Sequence, residues 1–185
     1  MTTLREATMN DLLKFNNVNL DVLTETYNMQ FYYHYMSRWP EAFMVAEGPS
    51  GNDDGSGELM GYVLGKAEGE DKLWHGHVSA VTVAPSYRRL GLAKTLMDDF
   101  EHLCINTYDA YFVDLFVRET NRLAQEMYEK FGYSTCKFKI WPHATLIHVL
   151  TSRKPENRAV FRRFNWFSNQ DNWIPLLFRL NLCRP

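Results

Sequence analysis

Cysteine is scarce in this 185-residue chain, and long apolar runs are missing altogether. The three cysteines, Cys104, Cys136 and Cys183, are odd in number and far apart. Such spacing supports neither a disulfide framework nor a thiolate metal site with short ligand intervals, and it points to a reducing, intracellular setting. No stretch reaches the roughly 18 apolar residues that a membrane-spanning helix needs, so no membrane association is expected. The opening segment carries Arg5, Glu6, Asp11, Lys14, Asp21 and Glu25, so no secretory h-region is expected there.

What is present is the composition of an ordinary folded domain. Apolar residues make up 45% of the chain and charged residues 23%, which excludes disorder of the whole. The length suits one domain, or one domain with an extension. A net charge of −2 hides an asymmetry: residues 1–140 hold 13 Lys+Arg against 20 Asp+Glu, and residues 141–185 hold 7 against 2. The acidic part is a poor nucleic-acid binder by its overall field. The basic part carries Trp141, Trp166, Trp173 and four phenylalanines. The two parts are therefore read as a domain over 1–140 and an atypical basic, aromatic extension over 141–185, expected to be loosely ordered.

Along the acidic part, strands and helices alternate. Thr3 to Glu6 predicts a short strand. Thr8, with Asp11 three residues on, predicts an N-cap and a helix through Leu12, Leu13 and Phe15. A second helix is predicted over Tyr27 to Tyr35, ending before Pro40. Phe43 to Ala46 and Leu59 to Leu64 read as strands about a Gly- and Asp-rich connection, Gly48 to Gly57. His75 to Val83 alternates as a strand. Leu90 to Leu103 has a helical period at Leu92, Leu96, Phe100 and Leu103. Tyr111 to Val117 is nearly all apolar, as a buried strand is. Asn121 to Lys130 predicts a helix closed near Gly132, and Ser134 to Ile140 a last strand. Ala144 to Leu150 fits a further strand or a short helix. The order predicts an α/β fold with a mixed central sheet and helices on both faces.

The sharpest local signal is the segment from Val81 to Ala93, VTVAPSYRRLGLA. A strand ends, an Arg- and Gly-containing turn follows, and an amphipathic helix begins. Successive N–H groups at such a turn form an anion nest, and Gly91 and Ala93 allow close approach of a phosphate. The same residues also fit an ordinary strand-turn-helix with a solvated Arg88–Arg89 pair.

Arg88-x-x-Gly91-x-Ala93 resembles the acetyl-CoA signature of the GNAT acyltransferase superfamily. Asn121-x-x-Ala124-x-x-x-Tyr128 and Phe131-Gly132-Tyr133 extend the resemblance in the right order. Over about residues 1–140 the chain further resembles the family of N-terminal acetyltransferase B (NatB) catalytic subunits, through Asn19-Leu20-Asp21, Leu23-Thr24-Glu25-Thr26-Tyr27, Trp74-His75-Gly76-His77-Val78 and Phe112 to Arg118. The resemblance implies a GNAT fold and acetyl-CoA as co-substrate. It implies acetylation of the α-amino group of chains beginning Met-Asp, Met-Glu, Met-Asn or Met-Gln. Implied partners are a helical-repeat auxiliary subunit, the ribosome reached through that subunit, and nascent N-termini, all in the cytoplasm.

By resemblance, Val81, Val83, Arg88, Arg89, Gly91, Leu92 and Ala93 hold the cofactor, joined by Asn121 as a hydrogen-bonding partner. Tyr128 lies near the thioester sulfur and protonates the leaving thiolate, with a main-chain N–H near Val83 as oxyanion donor. His77 is the candidate for polar contact with the acceptor's second residue, beside Ser79, and Glu25 and Tyr27 border the amine. On residue type alone His77 fits a packed histidine equally, Tyr128 fits packing against Phe131, and Glu25 a solvated carboxylate. His75 and His77 have the i, i+2 spacing of a metal pair, but no third ligand follows at useful sequence spacing, and no metal is expected.

After Ile140 the resemblance stops. Trp141-Pro142-His143 stands where the family carries a tyrosine-bearing loop that closes over the substrate. An active transferase and an impaired subunit that still holds acetyl-CoA and its partner are the two readings. Pairing of Ala144 to Leu150 as a seventh strand favours the first.

Overall fold

A computed structural model describes residues 2–22, 24–50, 57–118, 120–141 and 144–151. Two compact units emerge, one from Met1–Gly69 and Trp74–Ala110, the other from the described parts of Glu70–Leu73 and Tyr111–Pro185.

In the first unit, alternation of side chains across the strands sorts two helical layers onto opposite faces of one sheet. β1 (Thr3–Glu6), β2 (Phe43–Ser50), β3 (Gly57–Glu68) and β4 (His75–Val83) pair antiparallel in that order. On one face Phe43, Val45, Tyr62 and Leu64 pack with Phe15, Val18, Tyr32 and Tyr35, which come from α1 (Asn16–Asn19), α2 (Met29–Arg38) and the residue before α1. Phe15 stacks on Tyr62 with ring centroids 4.8 Å apart. On the other face lies α3 (Leu92–Asn106), with Leu96, Phe100 and Cys104 fully buried. The sheet meets α3 at two glycines. A Cβ on Gly65 would sit 2.3 Å from the Phe100 ring, and one on Gly76 would sit 2.3 Å from Cys104 Sγ. Any side chain there would drive α3 off the sheet. Because Gly76 faces α3, its neighbours His75 and His77 face the α2 side.

The first helix is shorter than expected. Thr8 and Asp11 do pair, but Asp11 accepts from both the N–H and the hydroxyl of Thr8, at 2.7 and 2.8 Å, and takes a bidentate contact from Arg5. A single 3-10 turn, Asp11–Leu13, and the one-turn α1 replace a continuous helix. The asparagines at 16, 17 and 19 have low helix propensity, and two of them turn to other partners: Asn17 donates to Leu59 O and Asn19 accepts from the Tyr62 hydroxyl. The second helix starts at Met29, two residues late. Asn28 is the N-cap, accepting from Phe31 N at 2.9 Å, which leaves Tyr27 outside the helix.

The second unit holds β5 (Phe112–Arg118), α4 (Arg122–Lys130), β6 (Ser134–Trp141) and β7 (Ala144–Thr151). β7 pairs antiparallel with both β5 and β6. The Ala144–Leu150 segment is thus a strand rather than a helix. The boundary placed after Ile140 falls inside a hairpin, and ladder hydrogen bonding carries the sheet on to Thr151. The loosely ordered extension expected beyond Thr151 lies outside the described residues.

Candidate functional site

β4 delivers two kinds of backbone to the end of the first unit. Ala84 N donates to Met60 O at 2.9 Å, so by ladder alternation the N–H and carbonyl of Val83, and those of Val81, turn away from β3. Beyond Val83 a 3-10 turn, Pro85–Tyr87, leads to Arg89 at φ 67° and Gly91 at φ 84°. Two left-handed residues around Leu90 curl the chain into the start of α3, with Gly91 as its N-cap. The first N–H groups of α3 have no intrahelical partner. Space is open above the turn: a Cβ built on Gly91 meets no atom within 4 Å. The unpartnered N–H groups at the start of a 15-residue helix, beside the exposed Gly91, suit a phosphate or pyrophosphate.

The two arginines of this turn differ. Arg89 is exposed. Arg88 points the other way, donating from Nε to Val83 O at 3.1 Å and pairing through Nη2 with Asp21 at 2.5 Å. Its guanidinium braces the turn against the segment after α1. Tyr87 adds a second brace by donating to Glu58 at 2.6 Å, and Asn17 donates to the other Glu58 oxygen at 3.1 Å.

The acceptor residues gather on the α2 side of β4. His77 is buried. Tyr27 donates to Ser79 O at 3.1 Å, and its ring stacks on Phe31 at 4.1 Å. Ser79 Oγ lies 2.6 Å from the Tyr35 hydroxyl. Burial pushes the Tyr35 phenol up to about 12, so it stays protonated and can donate to Ser79, leaving the serine hydrogen to donate onward. Tyr35 was not anticipated; its place one turn after Phe31 on α2 was the available signal. Glu25 is exposed on the same segment as Tyr27. Thr24, at the start of that segment, lies 2.8 Å from the Thr82 hydroxyl of β4. The segment is therefore pinned to β4 at Thr24 and Tyr27.

A third side chain joins the two histidines. The β3–β4 register sets Glu68 opposite His75 and Lys66 opposite His77. Glu68, His75 and His77 bring one ligand atom each within 4.8 Å of one another. The absence of a third ligand, read from sequence spacing, is corrected: it comes from the neighbouring strand.

In the second unit Asn121 is the N-cap of α4, its Oδ1 accepting from Ala124 N at 3.1 Å. The carbonyl is thus committed to the helix, and the amide NH2 is the group available to a ligand. Tyr128 is buried against Phe131 and Tyr133, with centroids 6.2 and 5.7 Å away. Burial raises its phenol well above the ordinary value, which keeps the proton on through the neutral range.

The first unit holds a strand-to-helix turn with two left-handed residues, and the second an Asn-capped helix carrying a buried tyrosine. The profile of the Acetyltransferase (GNAT) family matches residues 8–133. The chain belongs to the GNAT family. Within it the chain is 50% identical over 163 residues to "N-alpha-acetyltransferase 20" of Dictyostelium discoideum, covering 88% of this chain and 91% of that one. It is 57% identical over 133 residues to "N-terminal acetyltransferase B complex catalytic subunit NAA20" of Arabidopsis thaliana, covering 72% and 73%. Among solved structures it is similar to "The NatB Acetyltransferase Complex Bound To CoA and MES", with TM-score 0.69 and 36% identity over 81% of this chain and 98% of that one. This GNAT protein is accordingly an acetyltransferase of the NatB catalytic-subunit group, with the α/β fold its sequence predicts.

Proposed function

We propose that this GNAT protein transfers acetyl from acetyl-CoA to the α-amino group of polypeptides beginning Met-Asp, Met-Glu, Met-Asn or Met-Gln. It works in the cytoplasm as the catalytic subunit of a heterodimer with a helical-repeat auxiliary chain that reaches the ribosome. The observation that carries the acceptor preference is the Tyr35–Ser79–Tyr27 arrangement beside His77. It presents a serine donor and an imidazole on one side of β4, both suited to a side-chain carbonyl oxygen. A site built to donate is left with unpaired polar groups by Leu or Ala, which disfavours apolar second residues.

The chemistry asks little of a base. A free α-amine has a pKa of about 7.7–8.0, so a useful neutral fraction exists near neutral pH. Positioning supplies most of the acceleration. The α3 nest holds the phosphates, and the Asn121 amide holds the pantetheine arm. A main-chain N–H at Val83, turned away from β3, donates to the oxyanion. Tyr128, kept protonated by burial, gives its proton to the departing thiolate. No covalent enzyme intermediate and no metal is required. The CoA named in a similar NatB complex supports this cofactor.

The pairing of β7 with β5 and β6 supports an active transferase over an impaired subunit. Initial rates for peptides starting Met-Asp, Met-Asn, Met-Leu and Ser-Glu, with the full chain and its auxiliary subunit, test the proposal. The expected result is turnover of the first two only. Preference for Met-Leu or Ser-Glu overturns it. No rate on any peptide, with acetyl-CoA bound, favours the impaired subunit instead.

A further inference from the structure

We infer that Glu68, His75 and His77 form a binding site for a borderline divalent cation of the zinc class, and that occupancy of this site blocks the acceptor. The inference of blockage rests on the role proposed for His77; the cation site itself does not.

The geometry is set by strand pairing. His75 and His77 are two residues apart on β4 and share a face. Glu68 stands opposite His75 in the β3–β4 register, so the carboxylate arrives at a pair of imidazoles without any sequence proximity. The three ligand atoms already lie within 4.8 Å of one another. Bonds of about 2.0–2.2 Å in a tetrahedron need ligand atoms only somewhat closer than this, a change within reach of side-chain rotation. Both partly buried ligands keep little exposure, 12% for the His75 side chain and 15% for Glu68.

The donor set selects the ion. Two imidazole nitrogens and one carboxylate, with a fourth position open, suit zinc, cobalt or copper. Calcium needs six or more oxygen ligands, and magnesium an octahedron of oxygens, neither of which is at hand.

Lys66 shapes the carboxylate. Its Nζ lies 2.6 Å from Glu68 Oε2, while Oε1 is the oxygen nearer His75, at 4.0 Å from Nε2. One oxygen is thus held by the ammonium and the other is turned toward the imidazoles. This orients the ligand as outer-shell partners do, and the nearby positive charge keeps the site from binding a cation irreversibly tightly. A cation bound to His77 puts a positive charge and its remaining ligand beside the imidazole proposed to meet the acceptor side chain.

The test uses the full chain in complex with its auxiliary subunit. Cobalt(II) titration is read by visible d–d absorption, and zinc inhibition by the mass of acetylated Met-Asp peptide. His75→Asn and Glu68→Gln remove ligands that the transfer reaction does not use. Expected are a 1:1 cobalt spectrum without thiolate charge-transfer bands, weakened at least about tenfold in both variants, and zinc inhibition competitive with peptide but not with acetyl-CoA. His75→Asn is expected to keep its turnover and lose most of the zinc sensitivity. No visible band, a thiolate band, or a spectrum unchanged in both folded variants overturns the site. Cobalt binding at the site with inhibition that peptide does not relieve overturns the blockage. If no peptide is turned over at all, the proposed function fails while the cobalt spectrum still decides the cation site.

Discussion

Arg88 Nη2 lies 2.5 Å from Asp21 Oδ2, which ties the first arginine of the Arg-Gly turn to the segment that leads from α1 toward Tyr27. The pair is partly exposed, at 35% for the Arg88 side chain and 13% for Asp21. A pair of this kind contributes on the order of 0.2–1 kcal/mol. Asp21→Asn is therefore expected to raise KM for acetyl-CoA about two- to fivefold with kcat nearly unchanged. A loss of a hundredfold or more in steady-state kinetics would show that Asp21 meets a substrate directly.

Gly91 sits at φ 84° with open space where a Cβ would be. Gly91→Asp adds a negative charge to an anion nest, whereas Gly91→Asn adds a similar volume without charge and tolerates the left-handed region. Calorimetry is expected to show a large rise in acetyl-CoA Kd for the aspartate and a much smaller one for the asparagine. Equal effects would assign the role of Gly91 to backbone strain alone.

Tyr128→Phe removes the hydroxyl and keeps the ring that packs on Phe131 and Tyr133. A positioned general acid contributes about 10²–10⁴-fold, so kcat is expected to fall by that range with acetyl-CoA affinity near normal. Preserved kcat would leave Tyr128 a packing residue. The raised phenol also predicts that the wild-type rate shows no alkaline loss from this group at or below its ordinary pKa of about 10.

Arg5 clamps the first strand to two carboxylates, Asp11 with two contacts at 2.7 and 2.8 Å and Glu47 at 2.6 Å. Burial alone would push the Asp11 carboxyl up, but Arg5 and the two Thr8 donors together hold it below the usual range. A depressed folded-state pKa gives stability that is present above the unfolded value of about 3.9 and is lost as pH falls through the folded one. Asp11→Asn is expected to cost on the order of 2–3 kcal/mol near pH 7, as hydrogen bonds to a charged group do. The difference from wild type should shrink below about pH 4. Chemical denaturation at pH 7 and pH 3 checks both parts, and a constant difference would count against the clamp.

The sequence by itself determined the local pieces, because their causes are local. Alternation marked β4 at His75–Val83 to the residue, the Arg-Gly turn marked the start of α3 within two residues, and Asn121 marked the start of α4. Gly91 was legible for the same reason, since a left-handed turn into a helix asks for glycine. Tertiary structure decided what depends on register and on competition between partners. Nothing in the sequence signalled that the Arg88 guanidinium meets Asp21, 67 residues away. Asp11 keeps the cap-like contact with Thr8 that the sequence suggests and also takes Arg5, which the sequence did not show, while only a 3-10 turn follows. Glu68 gave no sign of joining His75 and His77, because the spacing rule for metal ligands counts along the chain, whereas an antiparallel ladder brings residues together across it. Ala144–Leu150 was ambiguous for a related reason. Seven apolar-rich residues fit either a strand or a short helix, and only hydrogen bonding to β5 and β6 selects the strand.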